Sequence, residues 1–197
     1  MIDYSILAAS TDYYTSKGFK RIESPWTVTQ AVSEITKPKG AKEFALVHDD
    51  GKVLVASAEQ SFLYLYLKGF LPLGQYQSIT PCFRSEPFDQ LHTKYFMKNE
   101  LIETENVNED RLKEIVIIAK DFFSRYFPEK DLSIQGDGVT ALGYDIVYKG
   151  IELGSYGIRS CDYLEWIYAT GVAEPRVSAT LKKFSLDQRD TDRINRQ

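Results

Sequence analysis

The sequence is poor in the residue types that build reactive or cross-linked centres. Two cysteines, Cys82 and Cys161, and two histidines, His48 and His92, occur in 197 residues. The cysteines lie far apart with no C-x-x-C, which excludes a disulfide framework and a cysteine zinc site and leaves reduced, buried thiols as the expected state. No apolar run approaches the length of a bilayer span, and Met1-Ile2-Asp3-Tyr4 carries no basic region ahead of an apolar core, so a soluble, cytoplasmic protein is expected. The lysines and arginines are scattered and the formal charge is -4, which excludes the basic face of a dedicated nucleic-acid binder but not transient contact with RNA. There is no P-loop, no G-x-G-x-x-G and no Ser-His-Asp order, so Rossmann, P-loop and serine-hydrolase chemistries have no support. Repeats and low-complexity tracts are also missing.

Apolar and aromatic residues are plentiful. With 43% hydrophobic residues, 13 Tyr and 11 Phe, the chain can bury one sizeable core, and a single domain over 1–197 is expected. Residues 2–16 have helical spacing and stop at Gly18, a left-handed terminator. Residues 19–26 read as a strand that meets Pro25 near its end, and Lys37-Pro38-Lys39-Gly40 as a loop. Residues 43–47 and 52–56 flank Asp49-Asp50-Gly51 as a hairpin. Residues 59–67 form a helix with an acidic first turn, and 77–84 with 95–103 an antiparallel pair joined by a polar loop. Asn108-Glu109-Asp110 caps an amphipathic helix through Leu112, Ile115, Ile118, Phe122 and Phe123. Strands follow at 133–134, 144–148 and 151–155. Glu174-Pro175-Arg176 opens a last helix, with a charged tail that frays from Asp187. Strands clustered in hairpins with helices before, between and after give an α+β fold, an antiparallel sheet flanked by helices.

Four places combine charge with a strand end or helix start. In Cys82-Phe83-Arg84-Ser85-Glu86 the Arg and Glu are two apart and share one face of a strand. A guanidinium can fork onto a phosphate, the carboxylate can accept from an exocyclic amine, and Phe96 offers a flat face for a purine. By itself R-x-E is more often a surface ion pair on a hairpin. In Glu152-Leu153-Gly154-Ser155 a carboxylate and a hydroxyl beside glycine make hard-oxygen ligation suited to Mg²⁺ on ATP, though E-x-x-S alone also describes a solvated strand end. Gly171-Val172-Ala173-Glu174-Pro175-Arg176 reads as a glycine turn that leads Arg176 into a helix. Ser57-Ala58-Glu59 is a strand-to-helix corner with one acidic side chain placed to receive a cation or to complement the helix dipole. His92, in the loop before Phe96, is an exposed imidazole or a phosphate contact.

In this order the segments resemble the catalytic domain of class II aminoacyl-tRNA synthetases, a fold shared with biotin ligases. Gly18 to Pro25 is similar to that family's motif 1, Phe83 to Glu86 with Phe96 and Glu100 to motif 2, and Gly171 to Arg176 with its helix to motif 3. Ser57-Ala58-Glu59 resembles the T-x-E loop, and His92 the histidine of the phenylalanyl and pyrrolysyl branches. The resemblance implies that Arg84 contacts the ATP α-phosphate and the substrate carboxylate, and that Glu86 meets the adenine amine. It further implies Phe96 on the adenine face, His92 and Arg176 on the triphosphate, and Glu152 with Ser155 on Mg²⁺. Glu59 and Ser57 would hold the amino acid, and Pro25 would lie in a homodimer interface; proximity to the motifs adds Gln60, Tyr156 and Trp166 as pocket candidates, Trp166 equally a core residue. Motif 3 departs by reading Glu-Pro-Arg, Ser57 replaces a threonine, and no anticodon-binding domain is recognised beside the catalytic unit. The implied activity is ATP-dependent activation of an amino acid or similar carboxylate, with tRNA or a carrier as acceptor. The alternative is a non-catalytic paralogue acting as an amino-acid sensor or a dimeric regulatory subunit.

Overall fold

The computed structural model describes residues 1–42, 51–85, 95–138 and 142–194. Helix α1 (Tyr4–Ser16) starts where the Asp3 carboxylate accepts the Ser5 amide hydrogen at 2.9 Å, and it ends before Gly18, whose φ of +94° reverses the chain. A two-residue strand β1 (Lys20–Arg21) follows, then β2 (Thr27–Thr29) and helix α2 (Gln30–Thr36). The single strand expected over 19–26 is therefore only two residues long. Past Arg21 the chain is held by other means, Ser24 Oγ against Ser78 Oγ at 2.8 Å and the Pro25 carbonyl accepting Ser61 Oγ at 2.6 Å.

Strand β3 (Lys52–Leu54) pairs antiparallel with β2, while the expected hairpin partner at 43–47 lies outside the described residues. Helix α3 (Ala58–Leu67) is capped by Ser57, whose Oγ accepts the Glu59 amide hydrogen at 3.1 Å. Strands β4 (Gln75–Phe83) and β5 (Tyr95–Glu103) pair from Gln75↔Glu103 to Phe83↔Tyr95. Helix α4 (Glu109–Phe123) buries Leu112, Ile115, Val116, Ala119, Phe122 and Phe123 on one face. Then come β6 (Leu132–Gly136), β7 (Gly143–Tyr148), β8 (Ile151–Cys161), β9 (Leu164–Glu174) and helix α5 (Arg176–Ile194), which takes in the charged segment from Asp187.

Seven strands form one sheet in the order β1-β4-β5-β9-β8-β7-β6, antiparallel except for β1 against β4, as the α+β expectation requires. One face carries the larger core, in which Tyr14, Leu101, Leu153, Tyr156, Ile167 and Val172 meet α1, α4 and α5. The other face is covered at one end only, where Val28, Val53, Phe62, Leu63, Ile102 and Trp166 pack under α2, α3 and the β2–β3 pair. Among the described residues no further helix packs on the rest of that face. Among the described residues no helix is long and apolar enough to cross a membrane.

Two bulges decide which side chains reach the open face. In β8 the register steps from Val147↔Glu152 to Ile146↔Gly154, so Leu153 is the extra residue. Leu153 and Tyr156 then both enter the core, which puts Glu152 and Ser155, three apart, on the open side. In β9 the step from Asn99↔Val172 to Glu100↔Thr170 makes Gly171 the extra residue. Gly171 is thus a strand bulge and not the expected turn. A Cβ there would lie 2.9 Å from both the Asn99 carbonyl oxygen and a Tyr14 ring carbon, and the Tyr14 hydroxyl donates to the Gly171 carbonyl at 2.9 Å.

Candidate active site

The register gathers the first group of site residues at one end of the sheet. Pro81↔Met97 and Met97↔Glu174 align the end of β4, the start of β5 and the end of β9, and β8 begins beside them. Arg84 directly follows β4 and Phe96 lies near the start of β5. The Arg84 guanidinium lies 5.2 Å from the centre of the Phe96 ring, and its Nε donates to the Ala56 carbonyl at 3.2 Å. Arg176, in the first turn of α5, donates to Glu152 Oε1 at 2.8 Å, so the cation from β9–α5 and the carboxylate from β8 are paired with each other. Glu86 and His92 lie outside the described residues.

The second group is a buried polar floor nearer the middle of the sheet. Glu59 is 4% exposed, and its carboxylate accepts Arg159 at 2.6 Å and the Trp166 indole N–H at 2.7 Å. Burial pushes the Glu59 carboxyl above the usual carboxylate range, against the pull of Arg159. The Arg159 guanidinium also stacks on Tyr168, 4.1 Å from the ring centre. Beside this pair Glu100, 1% exposed, accepts Ser57 Oγ at 2.7 Å and Lys98 Nζ at 2.8 Å, which gives the buried carboxylate both a hydroxyl and a cation. The cap of α3, Ser57, therefore links two acidic residues, by donating to Glu100 and by positioning the Glu59 backbone.

Two expected pocket residues are turned elsewhere. Gln60 is spent on structure: Oε1 accepts the Ala56 amide hydrogen at 2.8 Å while Nε2 donates to Ser33 Oγ at 3.0 Å, and 1% of the residue is exposed. Tyr156 belongs to the opposite core because of the β8 bulge, and its hydroxyl donates to the Thr170 carbonyl at 2.9 Å. Conversely Arg159, Lys98 and Asp145 join the open face without having been singled out by sequence. Arg159 follows Ser155 at even spacing, a signal hidden when the strand is cut off at Ser155. Glu100, which follows Phe96 in the motif 2 segment, is the anchor of Ser57 and Lys98.

Asp145 faces Ser155 across β7–β8, and its Oδ1 is buried with no hydrogen-bond partner among the described residues. Burial raises its carboxyl, opposed by the hydrogen bond from Ser155, with the charges of Glu152 and Asp137 adding to the rise. An orphaned carboxylate oxygen beside the Glu152 carboxylate and the Ser155 hydroxyl is a donor set that fits a hard cation such as Mg²⁺. Among the described residues no three His, Cys, Asp or Glu side chains converge as a metal site, so such an ion would need oxygens from its own ligand.

A mainly antiparallel sheet with helices along one face and a polar floor beside α3 on the other is consistent with a class II synthetase catalytic core. The chain belongs to that family: the model for class II tRNA synthetases (D, K and N) matches residues 1–135. The cytoplasmic serine-tRNA ligase of Naegleria fowleri, solved with AMP, superposes with a TM-score of 0.70 at 15% identity over 89% of this chain and 47% of that one. The pyrrolysyl-tRNA synthetase of Desulfitobacterium hafniense gives 0.71 at 16% identity over 91% and 69%. The seryl-tRNA synthetase of Pyrococcus horikoshii, complexed with ATP, gives 0.68 at 17% over 91% and 49%. These likenesses establish the fold, and the chain spans about half the length of the seryl enzymes. No curated protein sequence matches it.

Proposed function

We propose that the protein activates an amino acid or related carboxylate as an acyl-adenylate and passes it to an acceptor, tRNA or a carrier. The observation that carries this reading is the convergence of Arg84, Phe96, Arg176 and Glu152 at one end of the sheet, beside a buried acidic floor built on Ser57, Glu59 and Glu100. In the reaction a substrate carboxylate oxygen attacks the α-phosphorus, the bond to the bridging oxygen breaks, and pyrophosphate leaves with that electron pair. No proton moves in this activation step, so it needs no nucleophile or base from the chain. In the transfer step the acceptor's nucleophilic atom attacks the acyl carbon, AMP leaves and the acceptor's proton goes to solvent or to the leaving phosphate. The chain's work is positioning and charge stabilisation. Phe96 and Glu86 would seat the adenine, Arg84 the α-phosphate and the attacking carboxylate, and His92 with Arg176 the outer phosphates. Mg²⁺, held by Glu152, Ser155 and Asp145, would neutralise phosphate charge. Glu59 would draw the substrate ammonium toward the floor. The motif 1 segment around Pro25 would form a homodimer interface.

A second reading, a non-catalytic paralogue that senses an amino acid or serves as a dimeric regulatory subunit, is favoured by the Glu174-Pro175-Arg176 departure in motif 3. ATP–pyrophosphate exchange across the twenty amino acids separates the two. Label entering ATP with one amino acid is the outcome expected, and ATP binding without exchange for any of them refutes the enzyme. Arg84→Ala should lower exchange by about 10²–10³-fold with the fold intact. Undiminished exchange in that variant overturns the site assignment.

A further inference from the structure

Glu174 stands two residues before Arg176 and is 0% exposed. Among the described residues no cation pairs with it. Its carboxylate instead accepts the Asp3 amide hydrogen at 3.0 Å, the Ser178 amide hydrogen at 3.0 Å and Ser178 Oγ at 2.6 Å. Asp3 is the cap of α1 and Ser178 lies in the first turn of α5, so the charge sits between the positive ends of two helices. Ser178 Oγ also lies 3.2 Å from the Met1 carbonyl oxygen. The segment Met1–Asp3 is thereby tied to the turn that carries Arg176, whose guanidinium reaches across to Glu152 on β8.

We propose that Glu174 is a positioning residue for Arg176: by joining the first turn of α5 to the start of α1, it holds the guanidinium at the level of β8 where a triphosphate would be met. This rests on the reading that Arg176 faces ATP. An apolar residue in the same place would leave the Asp3 and Ser178 amides without acceptors, so α5 could settle at a different height against the sheet and Arg176 with it. The Glu-Pro-Arg departure is then an anchor for the arginine and not a loss of it.

The test is a double-mutant cycle on Mg·ATP affinity, with melting temperature recorded alongside. Glu174→Gln keeps the shape and one acceptor oxygen, but its amide nitrogen cannot accept from Asp3. It should weaken ATP binding about tenfold. Arg176→Ala should weaken it as much or more, and Glu174→Gln should add nothing in the Arg176→Ala background, although the melting temperature falls in both. Ser178→Ala keeps the carboxylate, removes one donor and should repeat the pattern with a smaller change. Unchanged ATP affinity in Glu174→Gln, or losses that simply multiply with those of Arg176→Ala, overturns the positioning role and leaves the functional reading standing. Unchanged affinity in Arg176→Ala overturns both.

Discussion

Gly157 on β8 is paired with Tyr168 on β9, and the glycine is a condition for that tyrosine's place. A Cβ at 157 would lie 2.6 Å from the Tyr168 hydroxyl oxygen and 2.8 Å from two ring carbons. The ring has little room to yield. It is 7% exposed, and the Arg159 guanidinium, itself bound to Glu59 at 2.6 Å, lies 4.1 Å from the ring centre. Gly157→Ala should therefore act as overpacking and cost about 2 kcal/mol. At this chain length that corresponds to a loss of roughly 4–8 °C in melting temperature. The cause can be isolated with Tyr168→Leu, which removes the hydroxyl and the ring atoms that crowd the new methyl. In that background Gly157→Ala should be neutral or stabilise by up to about 1 kcal/mol, because alanine loses less backbone freedom in a strand than glycine. Urea unfolding of the four chains measures the coupling, expected at about 2–3 kcal/mol. An equal cost of Gly157→Ala with and without the tyrosine ring would refute the packing argument.

The buried floor and the thiols give two further predictions. The Glu59 carboxyl is raised in the folded chain, so its contribution to stability is fully present below the unfolded value, near 4.5, and is lost as pH rises through the raised folded value. The melting-temperature difference between the native chain and Glu59→Gln should accordingly shift in favour of the native chain as pH falls from 7 toward 4.5, and a difference independent of pH would sink this account. Cys82 is fully buried and its thiol is pushed up to about 11, chiefly by burial, whereas Cys161 is half-buried. At pH 8 an alkylating reagent should label Cys161 in the native chain and both thiols in urea, and rapid native labelling of Cys82 would contradict the packing of β4.

Elements with caps and one-sided periodicity were legible in the sequence. Helix α4 shows its Asn108 cap and its stripe from Leu112 to Phe123, and α1 shows Gly18 at its end. Strand β9 was invisible for the opposite reason. From Trp166 to Glu174 every residue is buried, so the two-residue alternation that marks a half-exposed strand disappears, and Gly171 inside it mimics a turn. The β8 bulge hid the site in the same way. Counting by twos from Glu152 puts Tyr156 on the face of Glu152, but the extra residue Leu153 inverts the parity and leaves Ser155, Gly157 and Arg159 on the open side. The β2 partner of β3 had no sequence signal, because three residues are too few to show alternation.

The two ion pairs of the open face differ in what would be needed to break them. In the Arg176–Glu152 pair the side chains are 21% and 47% exposed, and a pair with that much solvent contributes about 0–1 kcal/mol. In the Arg159–Glu59 pair the arginine side chain is 38% exposed but the carboxylate is 5% exposed and also holds the Trp166 indole, so removing Arg159 takes a donor from a buried acceptor and costs about 1–3 kcal/mol. A nucleotide with its cation could therefore exchange the outer pair, phosphate oxygens for Glu152 on the arginine and Mg²⁺ for Arg176 on the carboxylate, with little net loss. The inner pair would stay as it is. On the adenylating reading the outer end of the site responds to charge and salt, and the inner end is a rigid template against which the shape and charge of the carboxylate substrate are tested.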